Sequence, residues 1–435
     1  MTISCTGHWL TPRQPCRPPR SEAPVTADPP LVVSVDDHVV EPPDVWTSRL
    51  PARDRERGPR VVRATCRTEY VTANTVKYHF GGDGPETDWW VYEDLRKPIP
   101  QVVACVGFPR ESLTMEPIGY ADMRAGCHDP AARLADMDLN HTEMSLCFPT
   151  FPRFCGQAFL EAQDRELAWA CVRAYNDWMV EEWCGGSGGR LLPLYLIPLW
   201  DAQLAAGEVR RNAARGCRAV AFTELPANLG LPSIHHPDRY WDPFFTACDE
   251  TGTVICMHIG SSSRMPVTSP DAPEGVRMAL TFANAQYSFV DWLLSGALAR
   301  FPNLKIAYSE GQIGWMPFVL ERVDNIFRHS RAWAGLDPAI TELPSSYAAG
   351  RVYGCFFEDD FGIAARNAVG MERITFETDY PHQDSTWPRT GEILRRIADQ
   401  VGPDELYRIA RGNALDMLGL SDPKRAQETT RETAR

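Results

Sequence analysis

Leu31-Val32-Val33-Ser34-Val35-Asp36-Asp37-His38-Val39-Val40-Glu41-Pro42-Pro43 is the stretch on which the fold turns. A short β-branched run passes directly into polar residues, with no glycine-rich phosphate loop to mark a dinucleotide-binding sheet. Comparable runs recur at Glu143 to Phe148, Leu191 to Ile197, Cys217 to Phe222, Thr253 to Met257, Leu304 to Tyr308, Arg351 to Phe357 and Arg373 to Glu377. Amphipathic stretches lie between them, at Leu160 to Trp183, Ala202 to Ala213, Pro243 to Glu250, Met278 to Ala299, Trp315 to Phe327, Ile363 to Val369 and Gly391 to Gln400. Asp201 and Asp242 sit where N-caps belong. Strands alternating with helices eight times over predict an α/β fold, a closed (β/α)8 TIM barrel rather than an open doubly wound sheet. Residues 50–128 form a long insertion after the first strand, expected over the C-terminal face as a lid.

The 435 residues are 44% hydrophobic and 10% aromatic, enough to bury a large core. Acids outnumber bases 57 to 44, and the resulting net charge of −13 repels nucleic-acid phosphate. No window reaches the ~18 apolar residues of a membrane span. Thirteen cysteines without a CxxC pair read as reduced core thiols, which implies a cytoplasmic protein. Proline-rich residues 1–30 predict a flexible arm, residues 31–420 one barrel domain, and the polar residues 421–435 a disordered tail.

In such a barrel the chemistry sits where strands end. Asp36 and His38 are two apart, hence on one face of an extended chain, and Glu41 follows as the strand closes. The fifth strand ends at His258 before Gly260, the sixth at Glu310, the eighth at Asp379 with His382 in the next loop. Each alone reads equally well as a polar turn, a core histidine or a helix cap. Gathered at the ends of strands one, five, six and eight, they point to a metal site.

Asp36-Asp37-His38 with Glu41-Pro42-Pro43, His258-Ile259-Gly260, Ser309-Glu310-Gly311-Gln312-Ile313-Gly314-Trp315 and Thr378-Asp379-Tyr380-Pro381-His382 together resemble the amidohydrolase-related family of metal-dependent barrels. Arg133-Leu134-Ala135-Asp136-Met137-Asp138 and Gly412-Asn413-Ala414 extend the likeness from about Leu31 to Leu420. By resemblance the metal-ligand positions are Asp36, His38, His258 and Asp379. Two features depart from its decarboxylating and hydrolytic members: DxH replaces HxH or ExH on the first strand, and Glu310 stands where a histidine closes the sixth.

Four carboxylates (Asp36, Glu41, Glu310, Asp379) and two imidazoles (His38, His258) make a donor set for two cations. The DxHxxE strand end and the EG-x-IGW loop resemble the family's branch of non-heme di-iron monooxygenases, known from platensimycin and platencin biosynthesis. That resemblance implies two iron ions, O2, an external electron donor, and hydroxylation of a bulky apolar acid or its CoA thioester in terpenoid-type antibiotic biosynthesis. Glu310, Glu41 and His382 would be the catalytic groups, with Glu41 and Glu310 also ligating. The alternative is a mononuclear Zn or Mn decarboxylase or hydrolase; a non-catalytic scaffold barrel is a third reading. Neither nucleic acid nor membrane is an expected partner, while a homodimer is compatible with the fold. Trp89, Trp90, Phe148, Phe151, Phe154, Trp315, Met316 and Trp387 are candidates for an apolar pocket wall, and Arg153 is placed to meet an acid.

Overall fold

The computed structural model describes residues 28–72 and 75–422. The expected N-terminal arm and C-terminal tail lie outside these residues, apart from 28–30 and 421–422. The chain forms β1 (Val32–Val39), the insertion strands β2 (Arg60–Tyr70), β3 (Val76–Phe80), β4 (Glu86–Tyr92) and β5 (Leu95–Pro98), and then β6 (Thr142–Pro149). There follow β7 (Leu191–Leu192), β8 (Leu194–Tyr195), β9 (Ala219–Phe222), β10 (Val254–His258), β11 (Lys305–Ser309), β12 (Val352–Phe356) and β13 (Ile374–Phe376). β1, β6 and β7 pair in parallel, as do β8 through β13 in order.

β7 and β8 are one barrel strand divided by Pro193, which has no N–H to give the ladder. The first piece pairs with β6 and the second with β9, so the proline marks where the pairing changes sides. At the other seam the amide of Asp379 donates to the Asp36 carbonyl (3.0 Å) and that of His38 to the Tyr380 carbonyl (2.6 Å). These bonds close the TIM barrel and set the first and eighth strand ends side by side. Every residue of β1 is buried, as expected of a strand with barrel interior on one face and helices on the other.

Several helices differ from the sequence expectation for local reasons. Leu160 to Trp183 is interrupted at Asp164, whose carboxylate caps Arg165–Trp178 by accepting from the amides of Glu166 (3.1 Å) and Leu167 (3.0 Å). Met278 to Ala299 breaks after Leu294, where Gly296 takes φ 72° and a Cβ would lie 2.5 Å from Asp337 Cγ. Asp201 caps as expected, but Asp242 is the first helical residue and instead accepts from Arg300 (3.0 Å).

The insertion folds into an antiparallel sheet of order β3-β2-β4-β5. Glu93 at its β4–β5 turn accepts from the amides of Gln163 (2.7 Å) and Asp164 (2.9 Å), pinning the sheet to the loop after β6. Among the described residues eleven cysteines are free and buried, and no helix is long and apolar enough to cross a membrane.

Candidate metal centre

Six of the side chains singled out in the sequence meet at the C-terminal rim. His38 Nε2 lies 3.2 Å from His258 Nε2, 3.3 Å from Asp379 Oδ1 and 3.7 Å from Asp36 Oδ1. His258 Nε2 is 3.5 Å from Asp36 Oδ2 and 3.7 Å from Glu310 Oε1, and His382 Nδ1 is 3.4 Å from Asp379 Oδ1. The His258 ring is held by a bond from Nδ1 to the Ile259 carbonyl (2.6 Å), which leaves its Nε2 lone pair facing the centre. His382 stacks on His38 (centroids 3.5 Å, 14°) and Phe154 on His258 (4.0 Å, 8°). Gly260 makes room for that stack: its φ is 83° and a Cβ would fall 3.1 Å from the Phe154 ring.

The donor set fits a single divalent cation. Two nitrogens each about 2.1 Å from one ion stand roughly 3.0–3.4 Å apart at octahedral or tetrahedral angles, matching the imidazole pair. Both oxygens of Asp36 and both of Asp379 are buried without a hydrogen-bond partner, as free ligand atoms would be. Burial, joined by the mutual repulsion of Asp36, Glu310, Asp379 and Glu377, pushes the first three carboxyls well above their ordinary range. Burial likewise holds His38 and His382 well below theirs and His258 at about 3, so all three present neutral ligand nitrogens. Glu310 and Asp379 hold left-handed backbone, φ 54° and 49°, a conformation that non-glycine residues adopt at functional rims.

Exposure divides the cluster. The side chains of Asp36, His38, His258 and Asp379 are 0–1% exposed, whereas Glu310 and His382 keep 13% and 12%. Asp36, His38 and His258 lie close enough together to share an ion, as do His38, Glu310, Asp379 and His382, and His382 also lines a neighbouring pocket.

Glu41 does not join them. Its Oε1 accepts from the Thr150 amide (3.0 Å) and its Oε2 from the Phe151 amide (2.8 Å), so both oxygens are committed to the turn after β6. Burial raises it to about 7 even so. The sequence reading of Glu41 as a ligand and catalytic group is therefore corrected, and with it the count of four carboxylates on which a second cation depended. Glu41→Gln is expected to retain wild-type metal content by elemental analysis while lowering thermal stability, because one of the two amides loses its acceptor.

Residues that the sequence reading passed over support the rim from beneath. Asp37, out of phase with Asp36, accepts from Ser34, Ser145, Thr378 and the Tyr380 amide. Arg133, fully buried, donates to the carbonyls of His38 (2.5 Å) and Gly126 (2.7 Å) and lies over the Tyr380 ring. Glu377 accepts from the Glu310 amide (3.0 Å) and from Cys355, and burial raises it to about 7. The period-2 alternation of Glu377 with Asp379 was the signal that would have found it.

A pocket of about 160 Å³ opens beside His382, lined by Trp90, Lys97, Thr150, Phe151, Arg153 and Phe154 among others. Lys97, Pro98, Ile99, Pro100 and Val103 of the insertion supply one wall. Of the other aromatic candidates, Phe148 packs on His258, Trp89 on Phe80, Trp315 on Phe289 and Trp387 on Tyr380, away from the pocket lining. Arg153 pairs with Glu161.

No curated protein matches the chain. Among solved structures, an amidohydrolase from Mycobacterium avium subsp. paratuberculosis is 23% identical, with 90% of this chain and 99% of that one covered and a TM-score of 0.67. The 5-carboxyvanillate decarboxylase of Sphingomonas paucimobilis is 22% identical over 68% and 85%, TM-score 0.53. A dihydroxybenzoic acid decarboxylase from Polaromonas sp., with bound manganese and the inhibitor 2-nitroresorcinol, is 19% identical over 69% and 89%, TM-score 0.53. These likenesses carry the fold. They also correct the expectation of an oxidoreductase with two irons, O2 and an electron donor in antibiotic biosynthesis: the similar proteins are amidohydrolases and decarboxylases, one with manganese, and Glu41 is not available for a second iron. From residue 45 to 420 the sequence matches the amidohydrolase family model, and the chain belongs to that family.

Proposed function

We propose that the protein is a mononuclear metal-dependent decarboxylase or hydrolase acting on a compact organic acid. The observation that carries this reading is the pairing of His38 and His258 across 3.2 Å, flanked by the unpartnered oxygens of Asp36 and Asp379. Asp36, His38, His258 and Asp379 would hold the ion, Zn or Mn by donor chemistry. When bound, such an ion polarises a substrate oxygen or lowers the pKa of a water.

The remaining steps fall to the chain itself. A ring-sized body fits between Trp90, Phe151 and Phe154, since a cavity of about 150 Å³ accommodates benzene. The stack of Phe154 on His258 excludes water from that side of the centre. His382, which lines the pocket, and Glu310, beside His258, are the side chains placed to exchange protons with a substrate, the imidazole lowered by burial and the carboxyl raised by burial and by Glu377.

The test is metal quantification followed by turnover of a panel of aromatic and small aliphatic acids and esters under nitrogen. About one Zn or Mn per chain, with CO2 release or hydrolysis in the absence of O2, is the expected result. No bound transition metal, or no turnover of any acid by the metal-loaded protein, would sink the proposal.

A further inference from the structure

Lys97 lines the pocket with an ammonium that makes no direct ion pair among the described residues. It comes from the insertion strand β5, lies half-buried among Trp90, Phe151 and Phe154, and its side chain makes no hydrogen bond or ion pair among the described residues. The groups that face it are Arg153, Glu41 and Glu161. Glu161 is paired to Arg153, and both Glu41 oxygens are held by backbone amides, so these acids favour the ammonium's charge from a distance but neither makes a direct ion pair with it. Burial and Arg153 lower the Lys97 pKa to about 8, so the amine is still mainly charged at neutral pH. Thr150, on the same lining, has a buried hydroxyl without a partner. A partly buried ammonium without a direct partner and an unused hydroxyl in one largely apolar pocket are each unfavourable until an acceptor arrives.

We propose that Lys97 is a specificity-determining residue and that the substrate is a dianion: a ring-sized apolar body with one acid group for the metal centre and a second anionic oxygen group received by Lys97 and the Thr150 hydroxyl. This rests on the metal-dependent reading above and adds what that reading leaves open, the chemistry of the substrate away from the ion. Arg153, balanced by Glu161, shapes the same wall without an unmet charge.

The experiment is calorimetric binding of benzoate and of the three benzene dicarboxylates to the full-length, metal-loaded protein and to its Lys97→Met and Lys97→Arg variants, with metal content measured in parallel. The best dicarboxylate should bind wild type about 10- to 100-fold more tightly than benzoate, the range of a charge-assisted hydrogen bond. Lys97→Met should erase that advantage while leaving benzoate affinity and metal content unchanged, and Lys97→Arg should retain most of it. Dicarboxylates no tighter than benzoate in wild type, or an equal loss for both ligand classes in Lys97→Met, overturn the inference and leave the metal-dependent reading standing. Absence of metal-dependent benzoate binding overturns both.

Discussion

Asp379→Asn is expected to lower metal affinity by at least about 100-fold and, in the same protein stripped of metal, to raise the melting temperature. The first effect follows from position. Asp379 is fully buried at the seam of the barrel with both oxygens unpartnered and within 3.4 Å of His38 and His382 nitrogens. Changes to groups that merely orient ligands already weaken binding about 10- to 100-fold. The second effect has the opposite sign because the centre is assembled against electrostatics. Burial, Glu310 and Asp36 raise the Asp379 carboxyl well above its ordinary range, so ionising it in the folded, metal-free protein is unfavourable.

The pH dependence follows from the same shift. A carboxyl with a raised folded-state pKa lowers stability above its unfolded value, and the loss grows as pH climbs toward the folded one. Asparagine removes that loss and can donate to an imidazole lone pair. The stabilisation of the stripped variant should therefore be present at pH 8 and vanish near pH 4. Thermal denaturation with chelator across that range, beside metal titrations, checks both halves. An Asp379→Asn protein that binds metal like wild type, or that melts lower than wild type when stripped at pH 8, contradicts the assignment.

Asp37→Ala is expected to destabilise the metal-loaded protein by about 3–5 kcal/mol, the range for removing one partner from a buried charged pair. Four donors converge on this carboxylate, and Arg133, also sealed from solvent, counts it among its compensating charges. Alanine would strand the Ser145 and Thr378 hydroxyls and the Tyr380 amide where β1 meets the eighth strand end. Arg133 holds the His38 carbonyl, so metal affinity should fall as well, although Asp37 touches no ion. Asp37→Asn keeps one acceptor oxygen and should lose less. A melting temperature within about 2 °C of wild type for the alanine variant would show that the network is not what locks the seam.

The rim donors were legible because each lies on or next to a strand and is governed by a period of two. Asp36 and His38 share a face, His258 closes β10, and Asp379 follows β13 by three residues. The same rule, applied once more, would have added Glu377. For Glu41 the rule has no hold. Glu41 follows Val39 by two positions, after the pleat has ended, and its orientation is decided by amides at Thr150 and Phe151, 109 and 110 positions later. Lys97 carried no signal at all, being one polar residue in a long insertion.

Eight runs of apolar residues separated by amphipathic ones were enough to specify the barrel and the rim, since burial of strand and helix faces is a local pattern repeated along the chain. Whether a rim carboxylate meets an ion, an amide or another carboxylate is a matter of which atoms lie within about 3 Å, and such neighbours come from distant strands and from the insertion. That is why the fate of Glu41 as a ligand rested with the tertiary structure: it turned Glu41 toward backbone N–H groups and left Asp36 beside His38 and His258 and Asp379 beside His38 and His382.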